Sequence, residues 1–583
     1  MDAVLVGLPG SGKSVVGRAL AERQGAAFID LDEVIEREAG RPITDIFATE
    51  GETGFRARER RAVEALGAAD AAPPVGRVIA PGGGAVIDPA NRWLLYRGRR
   101  AFWLDAPSVV LAERLKHSPL VRPLVAGSTD VVAALEELRA ARERFYGAAT
   151  WIDASVSVDD ATAAIEGHLT GLSRPPAVEP KGGGAGAPGG TALLRATTRI
   201  GRLVLGEGVA AAGVHESLIE LGAGRALLLS EPAAWRFAGE RIAERLRSLG
   251  WRVELVLLPR GEAAKRLAVV ERTARALARL RAERGEPLVA IGGGALGDTA
   301  GLVAATYLRG VPVIQVPTTL VAQIDSAIGG KTAVDLPEGK NLVGAFHQPA
   351  AIVVDVTALA TLPVRQRRAA LGEAVKMAVL GDERLFELLE ADGAAIARGT
   401  PAAFESGAVA EIVERAAWAK VEVVLADERE AAGRIALNLG HSIGHALEAA
   451  TGYRGLLHGE AVAYGIRGAC RIGVELGVTP AARAARVEQL LDRLGLGRQP
   501  LPCSVDTVLG AMATDKKHAG GQLRWVIPTA GAVAVRTEVA DSVVRGAVGS
   551  LLEAGSPGRA VPVAAAARAT IRRPAAAGAG EAR

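Results

Sequence analysis

Apolar residues fall in short runs separated by longer stretches with three-to-four spacing, and this alternation predicts an α/β chain. Strand-like runs occupy 3–7, 77–80 and 101–104, and Phe28-Ile29-Asp30 ends a further one. Beyond residue 198 they recur at 203–205, 226–229, 253–258, 287–291, 313–316 and 352–354. Helical patterns such as 239–249 and 264–284 lie between them. Continuous apolar runs suit parallel strands covered on both faces. From about Val364 to Val548 helical periodicity dominates. Gly171 to Ala192 has no apolar period and is dense in Gly and Pro, which predicts a flexible linker. The expected organisation is a parallel α/β domain over 1–170, the linker over 171–197, a second α/β domain over 198–362, a mostly helical domain over 363–550 and a disordered tail over 551–583.

Composition narrows this picture only a little. In 583 residues, 69 Lys and Arg against 65 Asp and Glu leave a net charge of +4. No basic run is interleaved with aromatics, so nucleic-acid binding is not indicated. No stretch reaches the ~18 uninterrupted apolar residues of a membrane helix. Met1 leads straight into a strand, without the basic and apolar regions of a signal peptide. The two cysteines, Cys470 and Cys503, form no CxxC pair, which fits a cytoplasmic location.

The first candidate chemistry is Gly7-Leu8-Pro9-Gly10-Ser11-Gly12-Lys13-Ser14, a match to G-x-x-x-x-G-K-[ST] between a strand and a helix. Backbone N–H groups of such a loop make a concave anion site, Lys13 reaches the β/γ-phosphates and Ser14 can ligate Mg²⁺. Asp30 and Asp32, two apart at a strand end, suit either metal support and acceptance of a hydroxyl proton, or a helix cap. Arg56 can clamp a carboxylate in a bidentate fork, or be a surface arginine. Gly82, Gly83 and Gly84 follow a strand and let a ligand approach backbone, or form a plain turn. Arg122 and Arg142 suit a closing, positively charged lid.

The second lies further on. The strand 287–291 runs into Gly292, Gly293 and Gly294 and then a helix, which suits a dinucleotide pyrophosphate although the spacing is not G-x-G-x-x-G. Downstream, Thr318, Thr319, Asp325, Lys331, Lys340 and Asn341 lie in glycine-bordered segments that imply a polar, anionic ligand. Of eight histidines, His441, His445 and His458 fall within eighteen residues, the first two at i and i+4. With Glu373 they can form a catalytic metal site of two His and one Glu with open positions. HExxH is absent, which disfavours a zincin protease.

Residues 1–165 resemble shikimate kinase. The resemblance rests on GLPGSGKS, FIDLD, GRPITDIFATEGETGFR, the GGG triplet, the RPL of Arg122-Pro123-Leu124 and the R-x-x-x-Y of Arg142 to Tyr146. It implies a P-loop kinase-type domain transferring the ATP γ-phosphoryl group to the 3-hydroxyl of shikimate with Mg²⁺. It also implies that Gly10, Ser11, Gly12, Lys13 and Ser14 hold the nucleotide, that Asp30 supports the metal and that Asp32 holds the substrate hydroxyl. Arg56 and Arg142 would hold the carboxylate, Gly82 to Gly84 would line the ring, and Arg122 would be the lid cation. A gluconate or nucleotide kinase shares the loop but lacks this combination.

Residues 198–545 resemble 3-dehydroquinate synthase. The resemblance rests on GGGALGDTAG, ATYLRG, QVPTTLVAQIDSAIGGKT, GKNLVGAFHQP, the E-x-x-K of Glu373 and Lys376, ADEREAAGRIALNLGHSIGH, LHGE and DKK. It implies an NAD-binding α/β domain followed by a metal-binding helical domain, converting 3-deoxy-D-arabino-heptulosonate 7-phosphate to 3-dehydroquinate and phosphate with NAD⁺ and Zn²⁺ or Co²⁺. Glu373, His441 and His458 would hold the metal. Lys331, Lys376, Lys420, Arg434, Asn438 and Lys516 would hold the substrate, with Arg309 a phosphate ligand that acts across a homodimer. His445 would serve proton transfer. Glu262, Lys265, Asp298, Thr318, Thr319, Asp325, Lys340, Asn341 and Thr361 would complete the NAD set. Three departures stand out: Ala370-Leu371-Gly372 where the family has Gly-Leu-Ala, Ser442 where it has threonine, and Asp335 where it has asparagine. Another sugar-phosphate cyclase, a related polyol dehydrogenase and a binding module that has lost its chemistry are the competing readings. The linker further predicts two halves that work independently.

Overall fold

A computed structural model describes residues 2–68, 76–117, 130–170, 190–430, 433–518 and 523–554, with the side chains of 67–68, 514–518 and 554 excepted. The expected lid at Arg122, the linker over 171–189 and the tail from 555 onward lie outside the described residues, as does the Lys516 side chain.

The first unit is a five-stranded parallel sheet. It is built from β1 (Ala3–Val6), β2 (Ala27–Asp30), β3 (Arg77–Ala80), β4 (Arg100–Asp105) and β5 (Thr150–Asp153), in the order β2-β3-β1-β4-β5. β1 and β3 are wholly buried, as apolar runs between helices on both faces require. The glycine loop leaves the C-terminal edge of central β1, where the strand order reverses and ligands of open α/β sheets bind. β5 was not anticipated. Its residues Thr-Trp-Ile-Asp form too short and too polar a run to stand out.

The second unit has a seven-stranded sheet in the order β6-β7-β14-β11-β10-β8-β9. The strands are β6 (Thr191–Thr198), β7 (Gly201–Glu207), β8 (Ala226–Ser230), β9 (Val253–Leu257), β10 (Leu288–Gly292), β11 (Val313–Pro317) and β14 (Ala351–Asp355). All pair in parallel except β6, which is antiparallel to β7. β6 corrects the expected linker boundary of 197. The buried Leu193 and Leu194 give residues from Thr191 onward an apolar face to lay on the sheet edge. A β-hairpin of β12 (Lys331–Leu336) and β13 (Gly339–Phe346) occupies what the sequence suggested were ligand loops. The following region is helical as expected, interrupted by one hairpin, Trp525–Pro528 with Val533–Arg536. Its last helix, Asp541–Ala554, runs past the predicted tail boundary because Val544, Val548 and Leu551 are buried.

The two units touch. One hydrophobic cluster runs from Trp93 and Phe145 of the first unit through Leu193 and Leu194 of β6 to Val409, Ala410 and Val413 of the Ala408–Ala426 helix. Among the described residues no helix is long and apolar enough to cross a membrane.

Candidate active sites

In the first unit the Lys13–Gln24 helix begins directly behind the glycine loop, whose Gly10 and Gly12 take φ of +82° and +88°. Only glycine adopts these angles cheaply, and they turn the loop around its centre. Lys13 Nζ donates to the carbonyls of Gly7 (2.9 Å) and Leu8 (3.2 Å), so its charge lies over the loop's own cradle. Ser14 Oγ donates to Asp30 Oδ2 at 2.6 Å. Asp30 also caps the next helix through the Asp32 N–H at 3.0 Å, so the metal-support and capping readings hold together.

The Gly82–Gly84 triplet faces the remaining candidates. A Cβ on Gly82 would lie 2.8 Å from Asp32 Oδ1, one on Gly83 3.4 Å from Arg142 Nη1, and one on Gly84 2.5 Å from Arg56 Nη2. Tyr146 donates its hydroxyl hydrogen to the Gly83 carbonyl. Arg142 is 3% exposed, and among the described residues its Nε and Nη1 have no hydrogen-bond partner. A buried guanidinium with open donors beside a glycine wall is suited to a carboxylate. Arg56 pairs with Glu59 (2.8 Å) and Glu52 (3.1 Å). Glu59 escaped the sequence reading. It sits one helical turn from Arg56, and burial raises its carboxyl against the pull of that arginine. The first unit thus brings Asp32, Arg56 and Arg142 against Gly82 to Gly84, beside the loop that carries Lys13 and Ser14, with Ser14 bonded to Asp30.

In the second unit, the Gly294–Thr306 helix starts behind β10. Gly293 packs against Thr319 and Gly294 against Ser326, where added Cβ atoms would meet side chains at 3.0 and 2.8 Å. Thr318 N donates to Gly292 O at 2.9 Å. Buried Lys265 bonds Asp298 Oδ2 at 2.6 Å and Asn341 Oδ1. Burial lifts the Asp298 carboxyl to about 6, with Lys265 pulling the other way. Asp335, one of the departures, accepts the Asn341 N–H at 2.8 Å and so supports the same network. Glu262 and Thr361 are exposed, with Thr361 Oγ1 donating to Ala358 O.

The metal candidates converge. Glu373 Oε1 lies 3.2 Å from His458 Nε2 and 3.6 Å from His441 Nε2. The His445 ring stands 5.2 Å from that of His441 and 5.8 Å from that of His458. His441 Nδ1 donates to Leu439 O at 3.1 Å, which leaves Nε2 with its lone pair toward Glu373. His458 Nδ1 faces Glu448 Oε2 at 3.3 Å, the carboxylate–imidazole arrangement that orients metal-binding histidines. Burial and the Lys376 charge push His441 down to about 3. Burial also opposes a charge on His458, but Glu373 and Glu448 raise it to about 10. Glu448 was missed, although it lies three residues past His445 on the same helix face.

Glycines bring these donors together. A Cβ on Gly459, next to His458, would overlap the carbonyl of Ala369, and one on Gly372, next to Glu373, the carbonyl of Gly459. Gly440, next to His441, has φ +80° and meets the Val462–Ile466 backbone.

Beside the metal candidates, Asp325 receives Lys420 at 2.7 Å and Lys376 at 3.7 Å, and Lys376 lies 2.7 Å from Glu373 Oε2. Burial would raise the Asp325 carboxyl, yet the two lysines hold it well below the usual range. Burial lowers Lys420. Buried Arg434 donates to Glu428 O (2.5 Å) and Gly329 O (3.3 Å). Lys340 reaches Glu448 at 3.2 Å and so links the dinucleotide residues to the histidines. Lys331 is drawn to Glu430 at 2.6 Å, and Arg309 is exposed with φ +65°. Asn438 is half-buried at the end of the Gly433–Asn438 turn, three residues before His441.

Comparison with known proteins matches residues 255–369 to the 3-dehydroquinate synthase N-terminal family model and 370–518 to its C-terminal counterpart. The 3-dehydroquinate synthase of Synechococcus sp. is 43% identical over 325 residues, which is 55% of this chain and 87% of that protein. The chain belongs to the 3-dehydroquinate synthase family. Residues 9–166 match the shikimate kinase family model, so a shikimate kinase half precedes the synthase half in a bifunctional shikimate-pathway enzyme. Among solved structures, 2-epi-5-epi-valiolone synthase from Streptomyces hygroscopicus subsp. jinggangensis 5008, with NAD⁺ and Zn²⁺ bound, is 28% identical to the synthase half. It covers 60% of this chain and 96% of its own, with a TM-score of 0.56. A 2-deoxy-scyllo-inosose synthase complexed with carbaglucose-6-phosphate, NAD⁺ and Co²⁺ is 26% identical, with the same coverage and a TM-score of 0.54.

Proposed function

We propose that the kinase half phosphorylates the 3-hydroxyl of shikimate with ATP and that the synthase half converts 3-deoxy-D-arabino-heptulosonate 7-phosphate to 3-dehydroquinate and phosphate. The observation that carries the kinase reading is the convergence of Asp32, Arg56, Arg142 and the glycine triplet beside Lys13. Lys13 exchanges the Gly7 and Leu8 carbonyls for the β/γ-phosphates. Ser14 and Asp30 would hold Mg²⁺ with the nucleotide. Asp32 accepts the proton of the attacking hydroxyl, while Arg56 and Arg142 fix the carboxylate so that the hydroxyl is in line. Arg122 is the lid cation.

In the synthase half Glu373, His441 and His458 suit a resident Zn²⁺ or Co²⁺. A wholly buried carboxylate and two Nε2 atoms face one point, and each imidazole is held by an oxygen on its other side. Gly292 to Gly294, Lys265, Asp298, Asn341, Thr318, Thr319, Lys340, Asp325, Glu262 and Thr361 suit NAD⁺. When bound, the dinucleotide supplies reversible hydride transfer and the metal polarises a substrate oxygen. The residues themselves do the rest. Lys376, Lys420 and Arg434 offer positive charge to the substrate's phosphate and carboxylate, with Lys331, Asn438 and Lys516 as further substrate ligands. His445 moves a proton beside His441. Arg309 reaches a phosphate across a homodimer formed by the synthase half, in the cytoplasm.

Supplied with the heptulosonate phosphate and NAD⁺, the purified chain is expected to release phosphate with no net NADH, whereas NADH accumulation would mean a dehydrogenase. A chelator selective for zinc over magnesium is expected to stop phosphate release and leave ADP formation from ATP and shikimate intact. Glu448→Gln keeps the shape but loses the charge facing His458. It is expected to weaken metal binding by about 10–100-fold, read by chelator competition; unchanged affinity would remove Glu448 from the site.

A further inference from the structure

One helix of the synthase half, Ala408–Ala426, packs against the Pro89–Tyr96 helix of the kinase half. Its Glu414 is buried and pairs with Arg92, whose side chain is fully buried in the Pro89–Tyr96 helix of the kinase half. Arg92 also donates to the carbonyls of Val86 and, at 3.3 Å, Ile87, which lie directly behind the Gly82–Gly84 triplet. One turn along the same helix, the Trp418 ring receives the Arg144 guanidinium at 4.2 Å. Arg144 lies two residues from Arg142 and from Tyr146, which holds the Gly83 carbonyl. Both sides of the acceptor pocket, the glycine wall and the carboxylate clamp, are therefore anchored through one intermediary to the other half of the chain. Two residues beyond Trp418 the helix carries Lys420, at the synthase centre.

We propose that Glu414 and Trp418, in the synthase half, are positioning residues of the kinase. By holding Arg92 and Arg144 they set the geometry that binds the acceptor's carboxylate, so the kinase's affinity for its acceptor depends on the half it is joined to. The proposal rests on the kinase reading above. Arg92 is a natural relay because its charge is out of water and held by Glu414, the loop carbonyls and the face of the Phe145 ring at 4.2 Å. Removing the carboxylate frees it to move, and the loop with it. Trp418 acts in parallel by fixing the last turn that presents Arg142.

The test measures steady-state kinase kinetics of the full-length chain and its E414L, W418A and W418F variants. E414L and W418A are expected to raise the KM for shikimate about tenfold while kcat and the KM for ATP stay unchanged, and W418F, which keeps a ring face, is expected to restore the wild-type value. A role confined to holding the halves together would lower the melting temperature and leave the shikimate KM where it was; that result overturns the proposal. W418A alters a half-buried ring and decides the matter alone if E414L, which strands a buried cation, does not fold. A wild-type chain that turns over ATP without phosphorylating shikimate refutes the kinase reading and this inference with it. Turnover with an unchanged KM in the variants refutes the inference only.

Discussion

Replacing His441 by alanine is expected to abolish phosphate release by the synthase half and leave shikimate phosphorylation unchanged. His441 contributes one of three donors, and its Nε2 is free for a metal only because Leu439 O takes the Nδ1–H. Loss of a donor removes a bond to the metal itself, so affinity should fall by more than the roughly 100-fold upper range for an orienting partner. Alanine also leaves Glu373 buried between His458 and Lys376 without the imidazole that faces its Oε1. Metal content after dialysis, phosphate release and ADP formation are measured on one preparation. An unchanged melting temperature and an unchanged KM for shikimate show that the helical region is intact, because the kinase half packs against it. Normal phosphate release from a chain with His441→Ala would sink the assignment of the metal site.

Lys13→Ala is expected to do the reverse. Its ammonium spans two loop carbonyls and lies over the cradle in which the phosphates are proposed to sit. Losing one such preorganised charge costs about 10²–10³ in kcat. The glycine loop stays formed, since its turns depend on Gly10 and Gly12 and the Ser14–Asp30 bond remains. Synthase turnover and metal content should match the parent chain. Undiminished ADP formation would show that the nucleotide binds elsewhere.

Much of this was legible because the chemistry is written in local strings. The strand, loop and helix around Lys13 lie within 24 residues, and His441 and His445 share one helix face. Long apolar runs also marked β8, β10, β11 and β14, which are buried on both faces. What escaped was pairing at a distance. β12 and β13 are half-exposed strands whose pattern is broken by charged residues, so only their pairing makes them a hairpin. Glu448 and Glu59 gain their roles from side chains that fold against them, although each sits one turn from a residue that was recognised. The expected independence of the halves rested on the Gly/Pro stretch alone. Composition there says nothing about whether Trp93 will find the bare backbone of Gly407.

The glycines beside Glu373, His441 and His458 give the synthase half an uncommon kind of vulnerability. Its three donors come from helices whose main chains rest on one another with no side chain as a spacer. A single methyl group placed at Gly459 would keep every coordinating atom in the polypeptide and still press the elements apart, because it would overlap the Ala369 carbonyl. In this chain the position least tolerant of a side chain near the metal donors is therefore one that carries no chemistry at all.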